Sequence, residues 1–119
     1  QHLKLQANQI DSFAIGRFAP TLGTLQFLKS LNIAYNQIGD EGAEQLANGL
    51  PENVRKLDVS GNGIRGLNAD ELAGGFSRLN NLDTLDLSYN DISENNVRTI
   101  LASVNGSCLV IQAPDSGQH

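Results

Sequence analysis

The chain has no methionine, no tryptophan and a single cysteine, Cys108. One thiol cannot close an internal disulfide, so the small disulfide-stapled scaffolds are excluded. Aromatic residues are only two Tyr and four Phe, and a core must therefore be built from aliphatic side chains. No apolar run approaches the ~18 residues that a membrane-spanning helix requires. No charged-then-apolar leader opens the chain. Histidine occurs only at the ends, as His2 and His119, and brings no metal-ligand cluster. Basic residues are also few: eight Lys and Arg against thirteen Asp and Glu give a formal net charge of −5. They are scattered, and the basic stripe of a nucleic-acid binder is missing.

What the chain does have is one phrase, repeated. Leu3-x-Leu5-x-x-Asn8-x-Ile10 returns as Leu31-x-Ile33-x-x-Asn36-x-Ile38, as Leu57-x-Val59-x-x-Asn62-x-Ile64 and as Leu85-x-Leu87-x-x-Asn90-x-Ile92. The asparagines step by 28, 26 and 28 residues. A period of this size denotes stacked units, none of which can bury its apolar face alone. The first half of each unit alternates aliphatic with small or polar residues, the period of a half-buried strand. The asparagine then ends the strand, where its amide both donates and accepts. Stacking aligns Asn8, Asn36, Asn62 and Asn90 in a ladder, and each rung must be hydrogen-bonded, because a buried unpaired amide costs about 1–3 kcal/mol.

The second half of each unit carries helical spacing. Seven residues after each asparagine begins an apolar set at i, i+3, i+4, i+7: Ile15/Phe18/Ala19/Leu22, Ala43/Leu46/Ala47/Leu50, Ala69/Leu72/Ala73/Phe76 and Val97/Ile100/Leu101/Val104. Each is one core-facing stripe of a helix. Ser12, Asp40, Asn68 and Ser93 are the expected caps. Asp40, Glu41, Asp70, Glu71 and Glu94 favour the positive ends of the helix dipoles. Pro20 is expected to shorten or kink the first helix, and Pro51 to end the second.

Strand, turn, helix and return in about 28 residues is a leucine-rich repeat. The stretch Asn36-Gln-Ile-Gly-Asp-Glu-Gly-Ala-Glu-Gln-Leu-Ala47 resembles the ribonuclease-inhibitor-like subfamily, in which a Gly-Asp-Glu-Gly-Ala segment opens the helix. The subfamily includes ribonuclease inhibitor, the sensing arms of nucleotide-binding immune receptors, Ran GTPase-activating proteins and injected bacterial effectors. The resemblance covers nearly the whole chain. It implies a right-handed α/β solenoid, with parallel strands on the concave face, helices on the convex face, and binding of a protein partner. The expected repeats are 1–27, 28–53, 54–81 and 82–107, closed by a terminal strand at 108–113. In that strand Cys108, Ile111 and Ala113 repeat the positions of Leu82, Leu85 and Leu87, while Val110 and Gln112 continue the outward row. Ser116 replaces the next asparagine. The chain begins directly on a repeat strand with no polar cap, so it reads as the C-terminal portion of a longer protein. Its N-terminal side is expected to pack in-chain, to meet a partner or to self-associate. Cys108 reads as a small buried hydrophobe, and with no disulfide-bonded caps the expected location is the cytoplasm or another reducing compartment, a host cytosol reached by a bacterial effector included. Asn105-Gly106-Ser107 matches a glycosylation triplet but reads as the turn after the fourth helix.

Outward strand positions are the candidate binding residues, since they have no core duty. They include Asn32, Tyr35, Lys56, Asp58, Thr84, Asp86 and Tyr89, together with Lys4, Ala34, Ser60, Gly61 and Ser88. Tyr35 and Tyr89 are candidate anchors, because Tyr offers large contact area at low entropy cost. Asp58 and Asp86 stand about 4.8 Å apart if their strands are neighbours. They read as a solvated acidic row suited to a basic partner rather than as an acid–base couple or cation site. No phosphate loop, metal cluster or nucleophile–base pair is evident, so no catalytic residue, metal or cofactor is assigned. The expected function is a protein-interaction module. The alternatives are a small-GTPase regulator like the Ran GTPase-activating proteins and a structural subunit of an assembly. Arg17, Arg65, Arg78 and Arg98 fall on helices or loops, and no motif singles one out.

Overall fold

Leucine-rich alternation and strict helical spacing predict alternating strands and helices, and the computed structural model has that order. It describes residues 1–112. The strands are β1 (His2–Lys4), β2 (Ser30–Asn32), β3 (Lys56–Asp58), β4 (Thr84–Asp86) and β5 (Leu109–Ile111). Between them run α1 (Ser12–Leu22), α2 (Gly39–Gly49), α3 (Ala69–Ser77) and α4 (Glu94–Leu101). All strand pairings are parallel and follow chain order, so each strand–helix–strand crossover advances the solenoid by one unit. Leu3, Leu31, Leu57 and Leu85 stand in register across the sheet. The core lies between sheet and helices, and Leu31, Ile33, Leu57, Val59, Leu85 and Leu87 meet the helix stripes there. No helix among the described residues is long and apolar enough to cross a membrane.

The helix register agrees with the spacing. Ala43, Leu46, Ala47 and Leu50 are all buried, and so are Ile15, Ala19 and Leu22. The fourth stripe departs at Leu101, which is exposed at the end of α4. Neighbouring helices approach closely because small residues lie between them: a Cβ on Gly75 would stand 2.6 Å from the Cβ of Ala47.

The caps differ from expectation. Asp11, not Ser12, caps α1 by accepting from the Ala14 N–H. Ile38 stands at the N-cap of α2, where no side chain caps the helix, and Asn68 makes no cap hydrogen bond at α3. Ser93 does cap α4, accepting from the Asn96 N–H. Pro20 does not shorten α1, which continues to Leu22 with the ring on an exposed position. A proline removes only one donor, and the next helical bonds close around it, with the Gly23 N–H donating to Ala19 O.

The terminal strand is out of the expected register. Cys108 N–H donates to Asn105 O, as Leu82 N–H does to Leu79 O, so Cys108 does hold the Leu82 position. Leu109 then pairs with Thr84 directly, with no counterpart of Asp83 between them. One residue fewer reverses every side chain after it. Val110 therefore pairs with Leu85 and packs on the core, while Ile111 faces outward. Ala113, Ser116 and His119 lie outside the described residues.

Candidate partner-binding face

The strand ends are organised by the asparagines. Asn36 Oδ1 accepts the N–H groups of Asn8 and Ile10 in the preceding unit, and its Nδ2 donates to Leu5 O and Ile33 O at 2.9 Å each. Asn62 accepts from Ile38 N–H and donates to Ile33, Val59 and Ser60 carbonyls. Asn90 accepts from the Asn62 and Ile64 N–H groups and donates to Val59, Leu87 and Ser88 carbonyls. Asn8 is exposed, and its side-chain amide donates within its own turn, to Leu5 and Gln6 carbonyls. Three buried amides thus sew each strand end to its neighbour.

On this frame the concave face forms a shallow hollow of about 270 Å³, lined among others by Lys4, Asn32, Lys56, Asp58, Thr84 and Asp86. Asp58 and Asp86 are register partners on β3 and β4. Neither carboxylate is wholly free for a ligand. Asp58 Oδ1 accepts from the Ser60 N–H at 3.0 Å and the Ser60 hydroxyl at 2.6 Å, and Asp86 Oδ1 accepts from the Ser88 N–H at 2.9 Å. Asn32 Oδ1 accepts from the Ala34 N–H in the same way. On β2, β3 and β4 the last side chain therefore closes its own turn. Ala34, Ser60 and Ser88, expected on the concave face, are buried. The chain turns inward at these positions to bring the asparagine into the stack.

Tyr35 and Tyr89 come together although they belong to units two steps apart. Tyr35 is 56% exposed and Tyr89 44% exposed. Their ring centroids are 6.3 Å apart, with planes tilted by 31°. The unit between them has Gly61 at the same position, and a Cβ there would lie 2.4 Å from Tyr35 Cδ1. Tyr35 lies over the space that this glycine leaves. The backbone at Ala7, Tyr35, Gly61 and Tyr89 is left-handed throughout, with φ near +60°. A repeat turn imposes it, and only glycine adopts it without strain. The absence of a side chain at Gly61 is visible in the sequence. Its consequence is not, because the direction of the neighbouring ring depends on the stack.

Two further devices were not legible in the repeat pattern. Asp40 reaches into the next unit, where Oδ1 accepts from the Arg65 and Gly66 N–H groups at 2.8 Å each and Oδ2 from Leu67 N–H at 3.3 Å. It clamps the loop after Asn62 rather than capping its own helix. Arg78 donates to Ala47 O and Leu50 O, covering carbonyls at the C-terminal end of α2. At the opposite strand ends Arg55 pairs with Asp83 at 2.9 Å. Cys108, half-buried nearby, has its thiol pKa raised from 9.0 by desolvation and secondarily by the Asp83 carboxylate. Asn105 Oδ1 accepts from the Ser107 N–H and hydroxyl, forming the turn between α4 and β5. Among the described residues no group of three or more His, Cys, Asp and Glu could hold a metal ion.

Comparison with known proteins agrees with this architecture. A leucine-rich repeat family model matches residues 24–47 and 78–95, and a second leucine-rich repeat model matches residues 53–74. Decorin of Oryctolagus cuniculus is 39% identical over 71 residues, covering 60% of this chain and 18% of decorin. RAN GTPase-activating protein 2 of Arabidopsis thaliana is 32% identical over 101 residues, covering 82% of this chain and 18% of that protein. The chain thus spans under a fifth of the length of either relative. The solved structure of leiomodin-1 actin-binding site 2 superposes with a TM-score of 0.75 at 15% identity, covering 98% of this chain and 71% of that one. With matched repeats over more than half its length, an ordered parallel sheet and helices on the outer side, the chain belongs to the leucine-rich repeat proteins.

Proposed function

We propose that this chain is a protein-interaction module of the ribonuclease-inhibitor-like subfamily, acting through its concave face and the adjoining turns. The observation that supports it most is the exposed Tyr35–Tyr89 pair beside the hollow lined by Lys56, Asp58, Thr84 and Asp86. Exposed tyrosines in a concave, mixed-charge setting are the usual anchors of protein interfaces. A lone, partly buried Cys108 fits a reducing compartment. The test is a selection of binders against the chain from an unbiased protein library. Most binders are expected to lose affinity on Thr84→Arg and to ignore Glu71→Lys on the convex side. Binders indifferent to Thr84→Arg and to the two tyrosines would refute the reading.

A second reading, regulation of a small GTPase, rests on the similarity to RAN GTPase-activating protein 2 along 82% of the chain. Single-turnover GTP hydrolysis by Ran, with and without the chain, decides it. An unchanged rate removes this reading and leaves the first.

A further inference from the structure

We propose that the tyrosine pair and the neighbouring carboxylates form a seat for an arginine side chain of the partner; this rests on the concave-face reading and gives it a chemistry. Tyr35 and Tyr89 are large side chains held where the backbone is left-handed, with φ of 58° at each. Any residue but glycine is strained there, by an amount near 1 kcal/mol. The repeat turn imposes this backbone, at Ala7 as at both tyrosines, and the two rings remain about half exposed. Gly61 places no side chain between them, and the Tyr35 ring lies over it, in contact range of the Tyr89 ring. An aromatic pair left half exposed at the ends of the concave strands is available to a partner.

The charge around the pair selects the ligand. Three residues before Gly61 and Tyr89 stand Asp58 and Asp86, in register on β3 and β4. Each commits Oδ1 to its own turn and lines the concave hollow. Of the lysines of the hollow, Lys4 stands two strands away on β1, and Lys56 lies two residues before Asp58 on β3. A guanidinium suits this corner better than an ammonium. Its flat face stacks on tyrosine rings, and its fork serves two acceptors at once.

The experiment titrates the chain with the blocked peptide Gly-Arg-Gly and follows ring and amide NMR signals. Movement is expected at Tyr35, Tyr89, Gly61, Asp58 and Asp86. The citrulline peptide, equal in shape and uncharged, should bind at least about tenfold more weakly. Tyr89→Leu should weaken the arginine peptide by about tenfold, and Asp86→Asn by a few-fold with a flatter salt dependence. Gly61→Ala, which displaces the Tyr35 ring, should weaken it while the amide spectrum stays folded. No movement at about 50 mM peptide, equal binding of citrulline, or indifference to Tyr89→Leu overturns the proposal. If arginine binding fails while selected binders still depend on Thr84, only this seat is lost. If arginine binds and those binders ignore both Thr84→Arg and the two tyrosines, the concave-face reading falls instead.

Discussion

Removal of one rung tests the hydrogen-bond logic of the whole stack. Asn62 is 2% exposed and serves four backbone groups. In Asn62→Ala the three carbonyls are not orphaned. Ile33 O keeps Asn36 Nδ2 at 2.9 Å, Val59 O keeps Asn90 Nδ2 at 3.1 Å, and Ser60 O keeps the Tyr35 N–H at 2.8 Å. Only the Ile38 N–H loses its acceptor. One orphaned buried donor costs about 1–3 kcal/mol, and the weakened three-centre bonds and small cavity add to it. The expected loss is about 3 kcal/mol. Asn62→Asp separates the two halves of the amide. It can still accept from Ile38, but it aims a carboxylate oxygen at three carbonyls where an NH₂ stood. It should be worse than alanine by at least about 1 kcal/mol, since a buried charge then faces like partial charges. Asn8→Ala, at an exposed rung, should cost less than about 1 kcal/mol. Urea unfolding measures all three, read as a fall in midpoint at constant slope. The reasoning is refuted if Asn62→Ala melts with the wild type, or if Asn62→Asp and Asn62→Ala are equal.

Leu46, 1% exposed under the convex layer, should cost about 2–5 kcal/mol as Leu46→Ala in the same assay; a loss under about 1 kcal/mol would contradict the helix register. Ser60→Ala removes a buried hydroxyl that donates to Asp58, so a loss of about 1 kcal/mol is expected where a surface serine would cost nothing. Asp40→Ala should free the Arg65–Leu67 amides, raising their hydrogen-exchange rates and lowering stability by about 2 kcal/mol, while Asp40→Asn keeps most of the clamp; unchanged exchange would remove the clamp's role. Alkylation of Cys108 by iodoacetamide should rise with pH through a midpoint above that of a cysteine in a short unstructured peptide, because desolvation and Asp83 both disfavour the thiolate; a midpoint at or below the peptide's would contradict the sign.

The architecture was legible because it rests on periods. Alternation at Leu31 and Ile33 and the stripe Ala43/Leu46/Ala47/Leu50 report which atoms must leave water, and that depends on residue type and spacing alone. The reading failed where a single residue changes a count or a direction. One residue fewer between Cys108 and Leu109 reversed β5, so that Val110 packs inward and Ile111 faces outward. Ser93 caps its helix as expected, but the other caps failed, Asp40 for a related reason. Asp40 has the right chemistry for its own helix, but the next unit offers it three N–H groups at once, and a charge-assisted set outweighs a single cap bond. Spacing within one unit does not reveal what the next unit presents.

The candidate site lies beyond the reach of periodicity for the same reason. Tyr35 and Tyr89 could be placed on the outward row from sequence, but their meeting could not, since 54 residues and an intervening unit separate them. The deciding element is Gly61, whose missing Cβ lets rings from two alternate units approach to 6.3 Å. In a regular stack every unit would carry the same side chain at this position, and the row would be a uniform ladder. Here the order tyrosine, glycine, tyrosine replaces the ladder with a single ring pair. A periodic scaffold acquires a localised site where the period is broken at one position while the backbone around it keeps its period. At Gly61 the φ of 64° is that of its neighbours, and only the side chain is gone.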